Sequence, residues 1–196
     1  MDIPYANPRE QENASAQLDC IESPVGTIAV MTWQDRLVYS TIGPGAAHQS
    51  EAWGRQQGLV PSPARLGAVR TALQAYFQGN LNDSFSPLPL LFISGTDFQR
   101  RVWAALAEIR PGTTTTYGML AKRLNRPRAV RAVGRSVGAN PLAVFLPCHR
   151  VVGSLGHLTG FACGIPVKRQ LLVHENVPMS VNGRVREAVT SQVSLF

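Results

Sequence analysis

Cysteine is scarce in this chain, with only Cys20, Cys148 and Cys163 among 196 residues. So odd and sparse a set argues against a disulfide framework and suits a reducing compartment. No Cys-x-x-Cys or His-x-x-x-His pair occurs, so no zinc pattern is present and neither metal nor cofactor is expected. A mixed site built on Cys20 and His48 is the metal arrangement left open. Long apolar runs are missing as well: nothing approaches the roughly 18–20 apolar residues of a membrane span, and no membrane partner is expected. The first eighteen residues carry Asp2, Glu10 and Glu12 and lack the basic and apolar regions of a secretory signal. They read as a loose tail, 1–18, on a cytoplasmic protein. Charged residues make up 16%, low for a disordered chain, and the 44% hydrophobic content suffices for a core in one domain or two small ones.

Acid is nearly absent from one stretch. Between Gln99 and Arg169 stand twelve Lys or Arg and the single acid Glu108, while the rest of the chain holds seven basic and eleven acidic residues. The net charge of +7 therefore comes from the second half. A basic domain beside an acidic one is the footprint of a polyanion partner, with nucleic acid favoured over a merely soluble basic surface.

What is present divides the chain in two. Thr27–Trp33 and Leu37–Thr41 are apolar segments separated by Gln34-Asp35, and read as a small antiparallel sheet that Gly43-Pro44-Gly45 interrupts. Arg65–Phe77 sets Leu66, Val69, Leu73, Tyr76 and Phe77 at helical spacing, and Gly79 closes that helix. Ser84–Ser94, with Pro87 and Pro89, reads as a linker with an extended segment. Thr96 and Gln99 then have capping-box spacing ahead of a helix that places Phe98, Val102, Ala105, Leu106 and Ile109 on one face. Thr115 or Thr116 can cap a short helix through Leu124, and a second helix is predicted from Pro127 to Val137. Two helices so closely joined form a helix-turn-helix. The second carries Arg126, Arg128, Arg131 and Arg135. Leu142–Leu146 is wholly apolar, reads as a short buried strand, and leads into Pro147-Cys148-His149-Arg150. Pro166 opens a last helix, which ends at His174-Glu175. The fold class is thus α+β: a small N-terminal sheet-plus-helix domain (19–90), then a mostly helical C-terminal domain with a helix-turn-helix (91–178), with tails at 1–18 and 179–196.

A thiol becomes a nucleophile when a base takes its proton or nearby positive charge favours the thiolate. His149 could do the first for Cys148, and the basic surroundings could help with the second. On those residues alone, a small packed core cysteine is the favoured reading.

The ordered context is more specific. Asn140-Pro141, the apolar run and Pro147-Cys148-His149-Arg150-Val151-Val152 resemble the active-site signature of the O6-alkylguanine-DNA alkyltransferases. Thr116-Tyr117-Gly118, Arg131-Ala132-Val133-Gly134, Gly160-Phe161-Ala162-Cys163-Gly164 and Lys168–Glu175 follow in the same register. Ser23-Pro24-Val25-Gly26 and the helix ending at Gly79 are similar to the family's less constrained N-terminal domain. The resemblance implies that Cys148 takes the alkyl group from O6-alkylguanine in double-stranded DNA, with O4-alkylthymine as a further substrate. His149 would accept the thiol proton through a water, and Glu175 would orient the imidazole. Tyr117 would hydrogen-bond the guanine ring nitrogen, and Asn140 would brace the turn before the cysteine. The thioether formed is stable, so each molecule acts once. The base would be flipped out, with Arg131 filling the gap and its helix in the minor groove. Arg126 and Ser154 would contact phosphate, while Gly118 and Ala132 would allow close approach. Phe161, Ala162, Cys163 and Val151 would line the pocket. Phe161 stands where tyrosine is usual, Ala162 where some members have serine, and Cys163 where many have glycine. A monomer is expected. Competing readings are a non-enzymatic lesion binder of the alkyltransferase-like type, which lacks the cysteine, a plain helix-turn-helix regulator, and a cysteine hydrolase.

Overall fold

The computed structural model describes residues 3–11 and 13–186. The part of the expected C-terminal tail from 187 to 196 lies outside the described residues, as do Met1, Asp2 and Glu12. Four strands, β1 (Ala14–Ile21), β2 (Ile28–Trp33), β3 (Arg36–Ile42) and β4 (Leu59–Pro63), form one sheet in the order β3-β2-β1-β4. β1 pairs antiparallel with β2 and parallel with β4, and β2 pairs antiparallel with β3. Gln34 and Asp35, both at positive φ, make the tight turn between β2 and β3. β2 is buried along its whole length because both sheet faces are covered. One face meets helix α1 (Ala46–Gln57), and the other meets helix α2 (Gly67–Phe77) and the C-terminal half.

The predicted tail is different in the structure. Residues 14–18 open β1, an interior strand of the sheet, and Ile3 is buried. Phe92 N–H donates to the Pro4 carbonyl, and Ala6 N–H to that of Phe92, both at 2.9 Å. The strand hides from a hydropathy reading because its buried face is Ala14, Ala16 and Leu18, alternating with Ser15 and Gln17. α1 has no expected counterpart either. It turns Ala46, Ser50 and Gly54 to the sheet, and a Cβ at Gly54 would meet Met31 Cε at 2.8 Å, so close packing of small residues replaces an apolar stripe. The extended segment expected within the linker pairs with β3: Leu37 N–H donates to Pro89 O at 2.8 Å and Leu91 N–H to Leu37 O at 2.9 Å. Leu91, Phe92 and Ile93 are buried, and one continuous core unites side chains of both halves.

The C-terminal half contains α3 (Asp97–Leu106), α4 (Tyr117–Arg123), α5 (Val130–Gly138) and α6 (Ile165–His174), with a two-residue parallel pair, β5 (Thr115–Thr116) and β6 (Val151–Val152). α3 carries the expected capping box, with Gln99 N–H donating to Thr96 Oγ1 and Thr96 N–H donating to Gln99 Oε1 at 2.9 Å. It seats Val102, Trp103 and Leu106 in the core, and the Trp103 indole N–H donates to Ser136 O of α5 at 2.7 Å. α5 begins three residues later than Pro127, because Arg126–Ala129 closes a tight turn, Ala129 N–H to Arg126 O at 2.8 Å, after Asn125 at φ 56°. Leu142–Leu146 is buried as expected but is a turn rather than a strand: Leu146 N–H bonds Leu142 O at 2.8 Å, with Val144 at φ 73°. It meets the sheet at Ser40 of β3, which bridges to Leu142 and hydrogen-bonds Pro141 O and the Ala143 backbone. At the far end Val185 is buried and pairs with Met179, so the predicted C-terminal tail is anchored at least to that residue.

Replacing Thr96 by Ala removes one half of the α3 capping box. It should lower unfolding stability by about 1 kcal/mol, read as a shift in the urea midpoint with the slope unchanged.

Candidate active site

Cys148 follows directly on the buried turn, at the start of a 3-10 turn formed by Cys148–Arg150. That turn sits under the end of α6, and β6 continues it beside β5. Asn140, just beyond α5, holds the cysteine in place. Its Nδ2 donates to Leu146 O at 2.8 Å and to Cys148 Sγ at 3.0 Å, while its Oδ1 accepts from Leu142 N–H at 3.1 Å. One side chain thus fixes both the turn and the sulfur. Burial pushes the Cys148 thiol up to about 11, against the Asn140 hydrogen bond and the Lys168 charge, which favour the thiolate. At neutral pH the resting site holds a thiol and needs a base.

His149, the next residue, is the imidazole nearest in the chain to that thiol. It is wholly buried, and its Nε2 lies 2.9 Å from Glu175 Oε1. A carboxylate can only accept there, so Nε2 carries the proton and Nδ1 keeps its lone pair. Nδ1 is buried without a hydrogen-bond partner among the described residues. Burial lowers the His149 pKa, opposed by the Glu175 charge, which keeps the ring neutral and basic at Nδ1. Glu175 is held by more than the histidine. Arg150 Nε donates to Oε2 at 2.8 Å and Nη2 to Oε1 at 2.7 Å, a two-point fork. Nη1 donates to Ile109 O, and the Tyr76 hydroxyl donates to Glu175 Oε1 at 2.7 Å. Burial would raise the carboxyl, but His149 and the Arg150 guanidinium outweigh it and hold Glu175 well below the usual carboxylate range.

The cavity at Cys148 encloses about 70 Å³ and is bordered by Val137 and Gly138 at the end of α5, by Asn140, and by Phe161, Ala162 and Cys163. Tyr39, Thr41 and Gln49 close it from the N-terminal half. Cys163 Sγ lies 3.9 Å from Thr41 Oγ1, which in turn donates to Gln49 Oε1 at 2.9 Å. The Tyr117 hydroxyl faces the same loop, donating to Thr159 O at 3.2 Å, and Thr116 caps the helix that Tyr117 begins. Lys168 is fully buried and anchors the loop from below, its Nζ donating to Val151 O at 2.6 Å and to Thr159 O at 2.8 Å. Burial pulls its pKa down to about 8. Val151, also fully buried, lies under the site rather than on the cavity wall.

The residues expected to face DNA lie on and around α4 and α5 and on the turn after β6. α4 and α5 pack together, and Arg126, Arg128, Arg131 and Arg135 are all exposed. Gly134 of α5 rests over the Tyr117 ring, where an added Cβ would lie 3.8 Å from Cδ1. Gly118 and Ala132 are half-buried and Ser154 is exposed at the start of a 3-10 turn. The helix carrying Arg131 ends at the cavity that holds Cys148.

Residues 97–177 match the DNA-binding domain of 6-O-methylguanine DNA methyltransferase. The methylated-DNA–protein-cysteine methyltransferase of Haemophilus influenzae is 40% identical over 156 residues, 80% of this chain and 84% of that protein. The chain belongs to the methylated-DNA–protein-cysteine methyltransferase family. The namesake from Mycobacterium tuberculosis H37Rv is 40% identical over 158 residues, 78% of this chain and 87% of that protein. OGT of Mycobacterium tuberculosis in complex with DNA superposes with a TM-score of 0.69 at 36% identity, covering 81% of this chain and 92% of the other.

Three groups in this methyltransferase site were not assigned a role from sequence: Arg150, Lys168 and Tyr76. Arg150 and Lys168 stand inside quoted motifs, where their burial without exposed charge was not visible. Tyr76 stood on a predicted helix face, and its partner lies 99 residues away. Among the described residues no helix is long and apolar enough to cross a membrane.

Replacing Arg150 by Met leaves the buried Glu175 carboxylate without its cation. It should cost about 3–5 kcal/mol in urea unfolding at pH 7. Because the folded-state pKa of Glu175 is depressed, the stability it contributes is complete above the ordinary glutamate range and is lost as pH falls below it. The deficit of the variant should therefore shrink in acid.

Proposed function

We propose that the protein repairs alkylated DNA by direct reversal, moving the alkyl group from O6-alkylguanine to Cys148 Sγ. The observation that carries this reading is the buried Cys148 beside a buried His149–Glu175 pair, with Asn140 on the sulfur and a basic, exposed helix ending at the same cavity. Family membership and the DNA-bound relative support it.

The thiol proton passes through one water to His149 Nδ1, and the ring becomes an imidazolium that Glu175 stabilises. The sulfur then attacks the alkyl carbon in line with the carbon–O6 bond. The S–C bond forms as the C–O6 bond breaks, and the electron pair stays with the guanine. Tyr117, turned from Thr159 O, hydrogen-bonds the guanine ring nitrogen and eases its charge. One proton leaves the thiol and one ends on the guanine, so no cofactor is consumed. A thioether has no leaving group that a water could displace here, which makes the protein a single-turnover reagent.

Access to O6 inside a duplex requires the nucleotide to leave the stack. Arg131, exposed on α5 some two turns before the cavity, fills the gap from the minor groove. Arg126 and Ser154 bind phosphates on either side, and Gly118 and Ala132 keep the backbone close to the groove. The protein binds as a monomer. Phe161 contributes an aromatic wall and Ala162 a backbone amide to the flipped base.

Single-turnover incubation with duplex DNA carrying one labelled O6-methylguanine should place up to one methyl per chain on Cys148, and none on Cys148→Ala. Lesion binding without transfer would replace this reading with the lesion-recognition one. Arg131→Ala should slow transfer while leaving non-specific DNA affinity within about threefold, since it loses one exposed charge. Cys163 narrows the cavity from the loop side, so Cys163→Gly should raise the rate with O6-benzylguanine by about tenfold relative to O6-methylguanine.

A further inference from the structure

The buried carboxylate of Glu175 has one partner that the transfer chemistry above does not use. Tyr76 comes from α2, in the N-terminal half, and is fully buried among Leu73, Phe77 and Phe85. A phenylalanine would fill that wall equally well. A buried hydroxyl is unfavourable unless it is bonded, and the phenol reaches Glu175 Oε1 at 2.7 Å. Its backbone is fixed too, because His174 Nε2 donates to the Tyr76 carbonyl at 2.8 Å and the two rings meet edge to face at 4.9 Å.

Oε1 is the crowded oxygen of this carboxylate. It receives the Tyr76 hydroxyl at 2.7 Å, Arg150 Nη2 at 2.7 Å and His149 Nε2 at 2.9 Å, whereas Oε2 takes Arg150 Nε at 2.8 Å. Donors that share one oxygen divide its charge. Each added donor weakens the hold on the others, and the histidine contact is the longest of the three. The charged and titratable groups around the imidazole are Glu175 and Lys168 from α6 and its end, with Arg150 and Cys148 beside it in the chain. Tyr76 reaches it only through Glu175.

We propose that Tyr76 is a positioning residue of the alkyl-transfer site, its phenol fixing Glu175 Oε1 and setting how strongly that carboxylate pulls on His149. The N-terminal half thereby tunes the base. With the phenol present, Glu175 orients the imidazole but does not draw a proton onto Nδ1, and the lone pair stays free for the thiol. Without it, the freed oxygen pulls harder, the imidazolium is favoured, and the base is occupied at higher pH. The kinetic part of this role rests on alkyl transfer to Cys148, whereas the effect on His149 does not.

The test uses the full chain in three forms: wild type, Tyr76→Phe, and a protein with 3-fluorotyrosine at position 76 introduced by codon suppression. The fluorinated phenol keeps its shape and is a stronger donor. Single-turnover transfer from methylated duplex is followed between pH 5 and 8.5, lesion-DNA affinity is titrated, and the His149 ring is titrated by NMR with nitrogen-15 histidine. Tyr76→Phe should move the His149 midpoint up by about one pH unit, which lowers the rate about fivefold at the wild-type midpoint and leaves it within twofold at pH 8.5. DNA affinity should stay within twofold. The 3-fluorotyrosine protein should move the midpoint the opposite way. A rate loss equal at every pH, or a His149 midpoint unmoved in both variants, would overturn the proposal and leave Tyr76 a packing residue. Should Tyr76→Phe not fold, the sign of the shift in the 3-fluorotyrosine protein decides. If wild type transfers no methyl, the alkyl-transfer reading fails, and the NMR midpoints still report on Tyr76.

Discussion

The fork between Arg150 and Glu175 is the contact on which the rest of the site depends. It ties the turn that presents Cys148 to the end of α6, two segments separated by 25 residues, and through Arg150 Nη1 it reaches the Ile109 carbonyl after α3. Tyr76 brings α2 into the same cluster. A charged pair in so dry a place adds little net stability, because the desolvation of both ions offsets most of their attraction. Its worth lies in direction. The guanidinium plane admits one orientation of the carboxylate, the carboxylate admits one tautomer of His149, and that tautomer leaves the Nδ1 lone pair free.

The same economy governs the sulfur. A thiol pushed up to about 11 is unreactive at neutral pH, and this suits a protein that cannot regenerate its nucleophile. Asn140 provides a hydrogen bond to the sulfur, and Lys168 provides a cation whose ammonium is itself held by two carbonyls of the loop floor and neighbouring strand. Both favour negative charge at Cys148 without supplying it. In the proposed mechanism the thiolate forms when His149 takes the proton, and a seated lesion then consumes it.

The C-terminal half was legible because its chemistry is local. Thr96-x-x-Gln99 caps a helix whatever surrounds it, and Asn140, Pro147-Cys148-His149-Arg150 and Tyr117 sit in segments whose turns are set by nearby residues. The N-terminal half was legible only where apolar side chains announced it, as in β2, β3 and α2. β1 and α1 are built on alanine, serine and glycine packed at close range, and small residues carry no periodic hydropathy signal. The strand expected at Leu142–Leu146 failed for the opposite reason. A run of five buried apolar residues satisfies any buried conformation, and here Asn140 gathers it into a turn. Tyr76 and Lys168 were beyond reach, since nothing in a helix face tells a core tyrosine from one whose hydroxyl meets a carboxylate.

The division into two domains also looks different once the contacts are known. Ser40 of β3 pairs with the active-site turn, its N–H to Pro141 O at 2.8 Å and its hydroxyl to Ala143 O at 2.7 Å. Thr41 and Gln49 close the cavity against Cys163, and Tyr76 completes the shell of Glu175. Each of these crosses from the acidic half to the basic half, and each ends at the cysteine turn, its pocket or its acid. The basic half carries the exposed arginines of α5 and the turn before it, and so charged a surface cannot bury its own back. The sheet and α2 supply that back, with the polar groups needed to satisfy a charged site in a dry interior. The N-terminal half is thus the inner wall of the reaction site, which explains why α2 and the sheet face it covers share one continuous cluster with the C-terminal half, while the face under α1 keeps a cluster of its own.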